Sequence, residues 1–147
     1  MGRMVYCPLD DVITASANQD IFSLMAGANN KIILHGWEIS SNAIAAAIIA
    51  ITLRRLTAVG SVGAAGVPEM LNEDDTSTIS GGVRTGDTTD GTESQTLQSF
   101  QWEQLGPLGM VYTPEMRPVI EPSGGLALNT ADATGFTMSG WICWEEI

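Results

Sequence analysis

Histidine is nearly absent from this sequence, which holds a single one, His35, in 147 residues. Most acid–base and nucleophilic mechanisms near neutral pH use a histidine to accept or hold a proton. His35 lies in a predicted strand between Ile33 and Trp37, a setting typical of a core or interface histidine. No serine occupies the Gly-x-Ser-x-Gly turn of hydrolases. The sequence therefore predicts a protein that is not an enzyme and has no catalytic residues.

Positive charge is scarce as well. One lysine, Lys31, and five arginines stand against 17 acidic residues, which gives a net charge of −11. Proteins bind nucleic acid and anionic membranes mainly through clustered lysine and arginine. We therefore expect neither nucleic acid nor a membrane as partner.

Long apolar runs are missing too. The most apolar one, residues 43–51, is far shorter than the roughly 20 residues that cross a bilayer. Residues 1–11 have no apolar run of the length that a signal peptide needs, so we expect none. The expected place of synthesis is the cytoplasm, where Cys7 and Cys143 stay thiols. We expect them to be two buried small residues, although a disulfide between them is conceivable.

Ligand-binding motifs are equally few. Residues 73–75 and 87–93 offer carboxylates, but without the spacing of a calcium loop. The glycine-rich stretch 81–86 has neither a P-loop lysine nor a following helix pattern. No metal and no other cofactor is expected.

What the sequence does contain is a series of short alternating apolar and polar segments, separated by Gly, Pro and Asn turns. This pattern predicts an all-β single domain over residues 1–147, an antiparallel β-sandwich or jelly roll. Residues 43–50 fit either a helical turn or a strand, and a strand is favoured from at least Ile48 to Leu56. The predicted strands cover residues 11–16, 21–25, 31–41, 48–56, 96–105, 110–114, 117–120, 126–128 and 134–146.

Two regions lack this alternation, namely an N-terminal arm over residues 1–10 and a long Gly/Thr/Asp-rich loop over about residues 57–96. A loop of that length inside a compact domain is uncommon and usually functional or disordered. Residues 67–93 hold seven acidic residues and one cation, Arg84. The loop is either kept soluble by this charge or lies on a basic surface of a partner.

Aromatic side chains predict contacts with other subunits. In the last strand, Trp141 and Trp144 alternate onto opposite faces, so only one can enter the core, and His35 and Trp37 are predicted to share a face. Because aromatic residues are enriched at interfaces, we expect an oligomer. The candidate interface residues are Arg3, Tyr6, His35, Trp37, Arg84, Trp102, Tyr112, Arg117 and Trp141.

Arg117 has the most restricted backbone of these candidates, because it stands between Pro114 and Pro118. A guanidinium in such a segment suits a two-pronged pair with a carboxylate. The pattern favours an ion pair that ties this segment to the sheet, with Glu145 or Glu146 as the partner.

Four segments carry a likeness to known proteins, namely TASANQDIFSL at residues 14–24, WEQLG at 102–106, YTPEMRPVI at 112–120 and TMSGWICWEE at 137–146. Together they resemble a known family, the capsid decoration or cement proteins of tailed bacteriophages. Residues 43–96 take no part in the likeness. The resemblance implies a β-sandwich subunit, usually a homotrimer, on the exterior of the virion capsid, where it bridges neighbouring major capsid proteins. It carries no catalytic residue over to this chain.

The expected function is therefore that of a structural virion protein, made in the host cytoplasm, which binds the assembled capsid and stabilises it. The alternative is the trimeric head domain of a phage spike or fibre that binds a receptor or glycan. Copy number distinguishes the two, since a cement protein is abundant in the particle and a spike is rare.

Overall fold

The computed structural model describes residues 2–13, 18–132 and 135–147, with backbone alone at residues 11–13. Residues 14–16 and residue 134, which the sequence assigns to predicted strands, lie outside this part. A short 3-10 helix spans Pro114–Met116. The strands are β1 (Arg3–Ile13), β2 (Gln19–Met25), β3 (Ile32–Ser41), β4 (Ile48–Ala58), β5 (Ala64–Ala65), β6 (Glu69–Met70), β7 (Gly82–Asp87), β8 (Thr92–Glu103), β9 (Leu108–Val111), β10 (Val119–Ile120), β11 (Gly125–Thr130) and β12 (Thr137–Glu146).

The strands form two antiparallel sheets that pack face to face, which confirms the predicted β-sandwich. Sheet A has the order β10-β3-β12-β1-β6, and β9 pairs with β3 beside β10. Sheet B has the order β5-β7-β2-β11-β4-β8. At one side, the chain crosses from β5 of sheet B to β6 of sheet A within a few residues. In this order, the edge strands of sheet A are β6 on one side and β9 and β10 on the other.

The alternation predicted for the last strand is confirmed. Met138, Ile142 and Trp144 of β12 are buried in the core, whereas Trp141 and Cys143 lie half-buried on the outer face of sheet A. Trp141 and Trp144 thus face opposite sides, as a period of two requires. The prediction of a strand from Ile48 is also confirmed by β4.

The alternation predicted for β3 is wrong at one point. Trp144 pairs with Leu34 and Cys143 with Gly36, so His35 is an extra residue that forms a β-bulge. The bulge reverses the phase of the strand. Trp37 is fully buried and His35 lies on the outer face, so the two do not share a face.

Trp37 connects the two sheets through the core. Its ring lies 6.3 Å from that of Phe22 and 5.7 Å from that of Phe100, both in sheet B. Its Nε1 donates to the hydroxyl of Tyr112 at 3.1 Å, and this hydroxyl donates to Oε1 of Gln98 at 2.8 Å. The one polar atom of the ring is thus satisfied within the core, as a buried indole requires.

A buried carboxylate in β12 joins β1 to the segment that leads into β7. Glu146 Oε2 accepts from Arg3 Nη2 at 3.2 Å and from the N–H and hydroxyl of Ser80 at 3.1 Å each. Its Oε1 accepts from the Gly81 N–H at 2.7 Å. A buried charge is tolerated when it is paired and hydrogen-bonded in this way.

Both irregular regions expected from the sequence are more ordered than predicted. The N-terminal arm is part of β1, which pairs with β12 and β6 from Arg3 onward. The stretch 57–96 contains β5, β6, β7 and the start of β8. Gly and Asp disfavour strands whereas Thr favours them, so the composition gives a mixed signal, and backbone pairing with β2 and β4 decides it in favour of strands. Within this stretch, only residues 59–63, 66–68, 71–81 and 88–91 lie outside the twelve strands.

Tyr112→Phe should destabilise the fold, because it leaves the buried Trp37 Nε1 without an acceptor. The expected loss in the free energy of unfolding is about 1–3 kcal/mol. Urea unfolding followed by tryptophan fluorescence measures it. Tyr6→Phe, on the outer face of sheet A, is the control and should change stability by less than about 0.5 kcal/mol. Equal losses in the two variants would contradict the proposed role of the hydroxyl.

Candidate interaction surfaces

Three of the predicted interface residues lie in the core. Trp37, Trp102 and Tyr112 are at most 5% exposed. Their polar tips are satisfied by this chain, since Trp102 Nε1 donates to the Gly106 carbonyl at 2.7 Å. The expectation that these three contact another subunit is therefore corrected.

Two predicted interface arginines are committed to ion pairs within the chain. Arg3 binds Glu146, and Arg84 Nη2 binds Oδ1 of the buried Asp87 at 2.7 Å. Arg84 and Asp87 lie in the same strand, and Asp87 also accepts from the Gly63 N–H. These charges orient local loops and are not free for a partner.

Tyr6 and Trp141 come together on the outer face of sheet A. Their rings stack with centroids 6.5 Å apart and planes inclined by 23°. Trp141 extends across Gly36, where a Cβ would come within 2.8 Å of the Met110 carbonyl oxygen and 3.4 Å of the indole. Because Gly36 has no side chain, β9 and the indole of Trp141 can pack closely against β3. Beside the stack, His35 Nε2 lies 3.2 Å from Glu145 Oε2.

The two cysteines lie on opposite faces of sheet A and are free thiols. Cys7 is buried in the core, and burial raises the pKa of its thiol to about 11. Burial also raises the pKa of Cys143. Both thiols are therefore protonated and poorly nucleophilic at neutral pH.

Three exposed large apolar residues that sequence reasoning missed lie at one end of the sandwich. Ile44 is 100% exposed, Ile48 69% and Leu105 52%. Ile44 lines an open depression of about 340 Å³, and Leu105 follows Gln104, which also lines it. We call the surface made by Ile44, Ile48, Leu105 and this depression the apolar end. The depression is lined by Asn42, Ala43, Ile44, Ala45, Gln104, Gly135 and Phe136.

Hydrogen bonds hold the backbone of the apolar end in place. The Gln104 N–H donates to the Ala47 carbonyl at 3.1 Å, and its side-chain amide donates to the Ala45 carbonyl. The hydroxyl of Ser41 donates to the Gln104 carbonyl. Segment 42–47 is thereby attached to the turn after β8. The sequence shows that residues 43–48 are apolar. Because they have no regular period, it does not show that Ile44 and Ile48 are exposed.

Arg117 forms none of the predicted ion pairs. Glu145 lies against His35, and Glu146 is saturated by Arg3, Ser80 and Gly81. Arg117 is half-buried, and its Nε is buried without a hydrogen-bond partner. The prediction of an ion pair to Glu145 or Glu146 is wrong, because other groups already occupy both carboxylates.

A buried carboxylate, that of Asp20 in β2, lies in sheet B beside loop 88–91. Asp20 accepts from the side-chain amide of Asn129 at 3.0 Å and from the Gly91 N–H at 2.8 Å. Asp90 lies nearby, and burial followed by the charge of Asp20 raises the pKa of its carboxyl. Asp75, in contrast, accepts from Ser77, which lowers the pKa of its carboxyl.

Residues 2–13, 18–132 and 135–147 contain neither a metal-binding cluster nor a membrane-spanning helix. This part of the chain has no cluster of three or more His, Cys, Asp or Glu side chains arranged to hold a metal ion. It also has no helix with the length and apolar character needed to cross a membrane.

Asp90→Asn should stabilise the protein increasingly as the pH rises. The raised pKa means that the folded state binds a proton more tightly than the unfolded state, so wild-type stability falls as the pH rises through the folded-state pKa. Asparagine removes this loss. Thermal unfolding of both proteins from mildly acidic to neutral pH tests this, and a difference independent of pH would contradict it.

Asp75→Asn is the matched control. The lowered pKa of Asp75 contributes stability above its ordinary value that is lost as the pH falls through the folded-state pKa. The stability difference from wild type should therefore have the opposite sign to that of Asp90→Asn at neutral pH and should shrink in acid.

Comparison with known proteins adds no family to this description. No family model, no curated protein and no solved structure matches the chain. The choice of a function therefore depends on the surfaces described above and on the sequence resemblance.

Proposed function

We propose that this chain is a structural subunit of a tailed-phage virion, a decoration protein that binds the exterior of the assembled capsid and stabilises contacts between major capsid proteins. The observation that carries the proposal is the apolar end, where Ile44, Ile48 and Leu105 are exposed and Ile44 lines an open depression. Exposed apolar residues grouped in this way mark protein-binding surfaces. The phage-like segments at both ends and in the middle of the sequence supply the identity of the partner.

The apolar end has the properties of a docking surface. Its backbone is fixed by the bonds of Ser41 and Gln104, so little conformational entropy is lost on binding. Trp102 and Phe136 pack edge-to-face behind it, with centroids 6.1 Å apart. A partner side chain entering the depression would meet a preformed surface.

The energetics favour several copies acting together. Full burial of an isoleucine or leucine side chain contributes about 2 kcal/mol. Burial of three such residues therefore offsets only the lower part of the roughly 4–15 kcal/mol that association costs in lost translational and rotational freedom. One copy would therefore bind weakly. A homotrimer that engages several capsid subunits gains affinity through effective concentration.

Stabilisation of the shell then follows from mass action. A protein that binds across subunit boundaries binds the assembled shell and not the separated subunits, so its binding energy favours assembly. No catalytic step, cofactor, nucleic acid or membrane forms part of this function.

The first test is the copy number of this chain in purified virions of the phage that encodes it, measured by quantitative mass spectrometry against the major capsid protein. A ratio near one to one, or one trimer per local three-fold axis, supports decoration. A handful of copies would support the spike or fibre head instead. Complete absence from the particle would refute both.

Ile44→Asp/Leu105→Asp should abolish binding to shells that lack this chain, with a loss of affinity of at least about 100-fold, because each change replaces apolar burial with a charge to be desolvated. Co-sedimentation with the shells measures the binding. Val62→Asp is the matched control: Val62 is 75% exposed but follows the other end of β4. Undiminished binding of the double variant would eliminate the apolar end as the docking surface.

A further inference from the structure

The ion pairs of this chain leave few cations free. Four of the six cationic side chains are paired within the chain, as Arg3–Glu146, Lys31–Glu121, Arg54–Glu93 and Arg84–Asp87. Among the described residues, Arg55 and Arg117 take part in no ion pair. A protein with a net charge of −11 thus keeps two uncompensated cations.

Both uncompensated cations border β10 at the same side of sheet A. Arg55 Nη1 donates to the Val119 carbonyl at 2.8 Å, whereas the neighbouring Pro118 carbonyl faces β3 and accepts from the Leu34 N–H. Arg117 lies between the 3-10 helix and β10. Its buried Nε without a partner leaves part of the hydrogen-bonding capacity of this guanidinium unused.

Exposed apolar side chains accompany these two arginines. Val111 is 76% exposed, Met116 66% and Val119 37%. Glu115 lies in the same 3-10 helix as Met116 and forms no ion pair among the described residues, so two unpaired cations stand against one unpaired carboxylate in this region. We call the surface made by Arg55, Val111, Met116, Arg117 and Val119 the basic edge.

The opposite side of sheet A has the complementary composition. Glu69, Glu73 and Asp74 are exposed and form no ion pair among the described residues. The apolar side chains of Val67 and Leu71, in the same segment, are 70% and 54% exposed. These five residues form the acidic edge. Beside it is a depression of about 200 Å³, lined by Pro8, Asp10, Ala64, Ala65, Gly66, Val67 and Thr85.

We propose that a second copy of this chain docks its acidic edge on the basic edge of the first. Carboxylates of the acidic edge would pair with Arg117 and Arg55, and an apolar side chain of the basic edge such as Met116 would enter the depression beside Val67. The apolar residues supply affinity, while the charges fix orientation and exclude wrong partners. This inference deepens the homotrimer in the proposed function by naming its surfaces.

The positions of the two edges determine the type of assembly. They lie at opposite ends of the strand order of sheet A, β10 at one and β6 at the other. A two-fold pairing of equal edges would place Arg117 near Arg117, or Glu73 near Glu73, with like charges opposed. The complementary contact is head-to-tail, and such contacts generate closed rings when the rotation between copies closes.

Charge reversal tests this arrangement on the isolated chain. Arg117→Glu should weaken self-association at least about tenfold, since it places like charges across the contact. Glu73→Lys/Asp74→Lys should do the same from the other side. The triple variant Arg117→Glu/Glu73→Lys/Asp74→Lys reverses both edges, so its self-association should return. Sedimentation equilibrium measures all four proteins.

Matched controls separate local contacts from net charge. Ser99→Glu/Gln101→Glu changes the net charge by the same amount as Arg117→Glu, at exposed positions of β8 that pair with Thr52 and Ala50 and not with Arg55. Glu38→Lys/Glu103→Lys matches the acidic-edge variant, also at exposed positions. Both controls should associate like the wild type, and wild-type association should weaken as salt screens the charges.

A monomeric wild-type chain at all accessible concentrations would overturn the proposal, as would a triple variant that associates no better than the single-edge variants. The measurement uses no capsid, so its failure is distinguishable from a failure of shell binding. A wild-type chain that co-sediments with shells but stays monomeric would refute the edge contact alone.

Discussion

The placement of Trp37 between the two sheets is the constraint on which the rest of the sandwich depends. Its ring contacts Phe22 and Phe100 of sheet B, and its Nε1 begins a hydrogen-bond chain that ends on β8. This placement requires the bulge at His35, which shifts the inward and outward alternation of the following residues by one position. One inserted residue thus supplies the core with its central aromatic and the outer face with its only histidine. Bulges commonly redirect side chains in this manner.

The success of sequence reasoning followed the regularity of each strand. β12 has no bulge that disturbs its period of two between Met138 and Trp144, so the alternation assigned both of its tryptophans correctly. β3 breaks the period at His35, and the one signal of the break in its sequence is Gly36, since an isolated glycine within a strand often accompanies a bulge. β7 was missed because its two glycines and Asp87 mask the strand preference of Val83 and Thr85. Its pairing with β2 comes from tertiary context, which overrides local preference.

The candidate surfaces were harder to predict than the fold. Aromatic character indicated Tyr6 and Trp141 on the outer face, but the same criterion selected Trp102 and Tyr112, whose polar tips find acceptors inside the chain. Arginine character did not separate the paired Arg84 from Arg117, since pairing depends on which carboxylate the fold brings near. Exposure of Ile44 was equally invisible, because an apolar residue without periodicity fits a core as well as a surface.

The position of β12 in the middle of sheet A has a consequence for synthesis on the ribosome. β12 pairs with β3 on one side and β1 on the other, and Arg3 meets Glu146 across 143 positions of sequence. Until β12 leaves the exit tunnel, β1 and β3 expose open edges with no central strand between them. Such non-local pairing is slow and leaves edges open to aggregation. The nascent chain therefore has a prolonged period in which a chaperone that covers strand edges would raise the yield of folded protein.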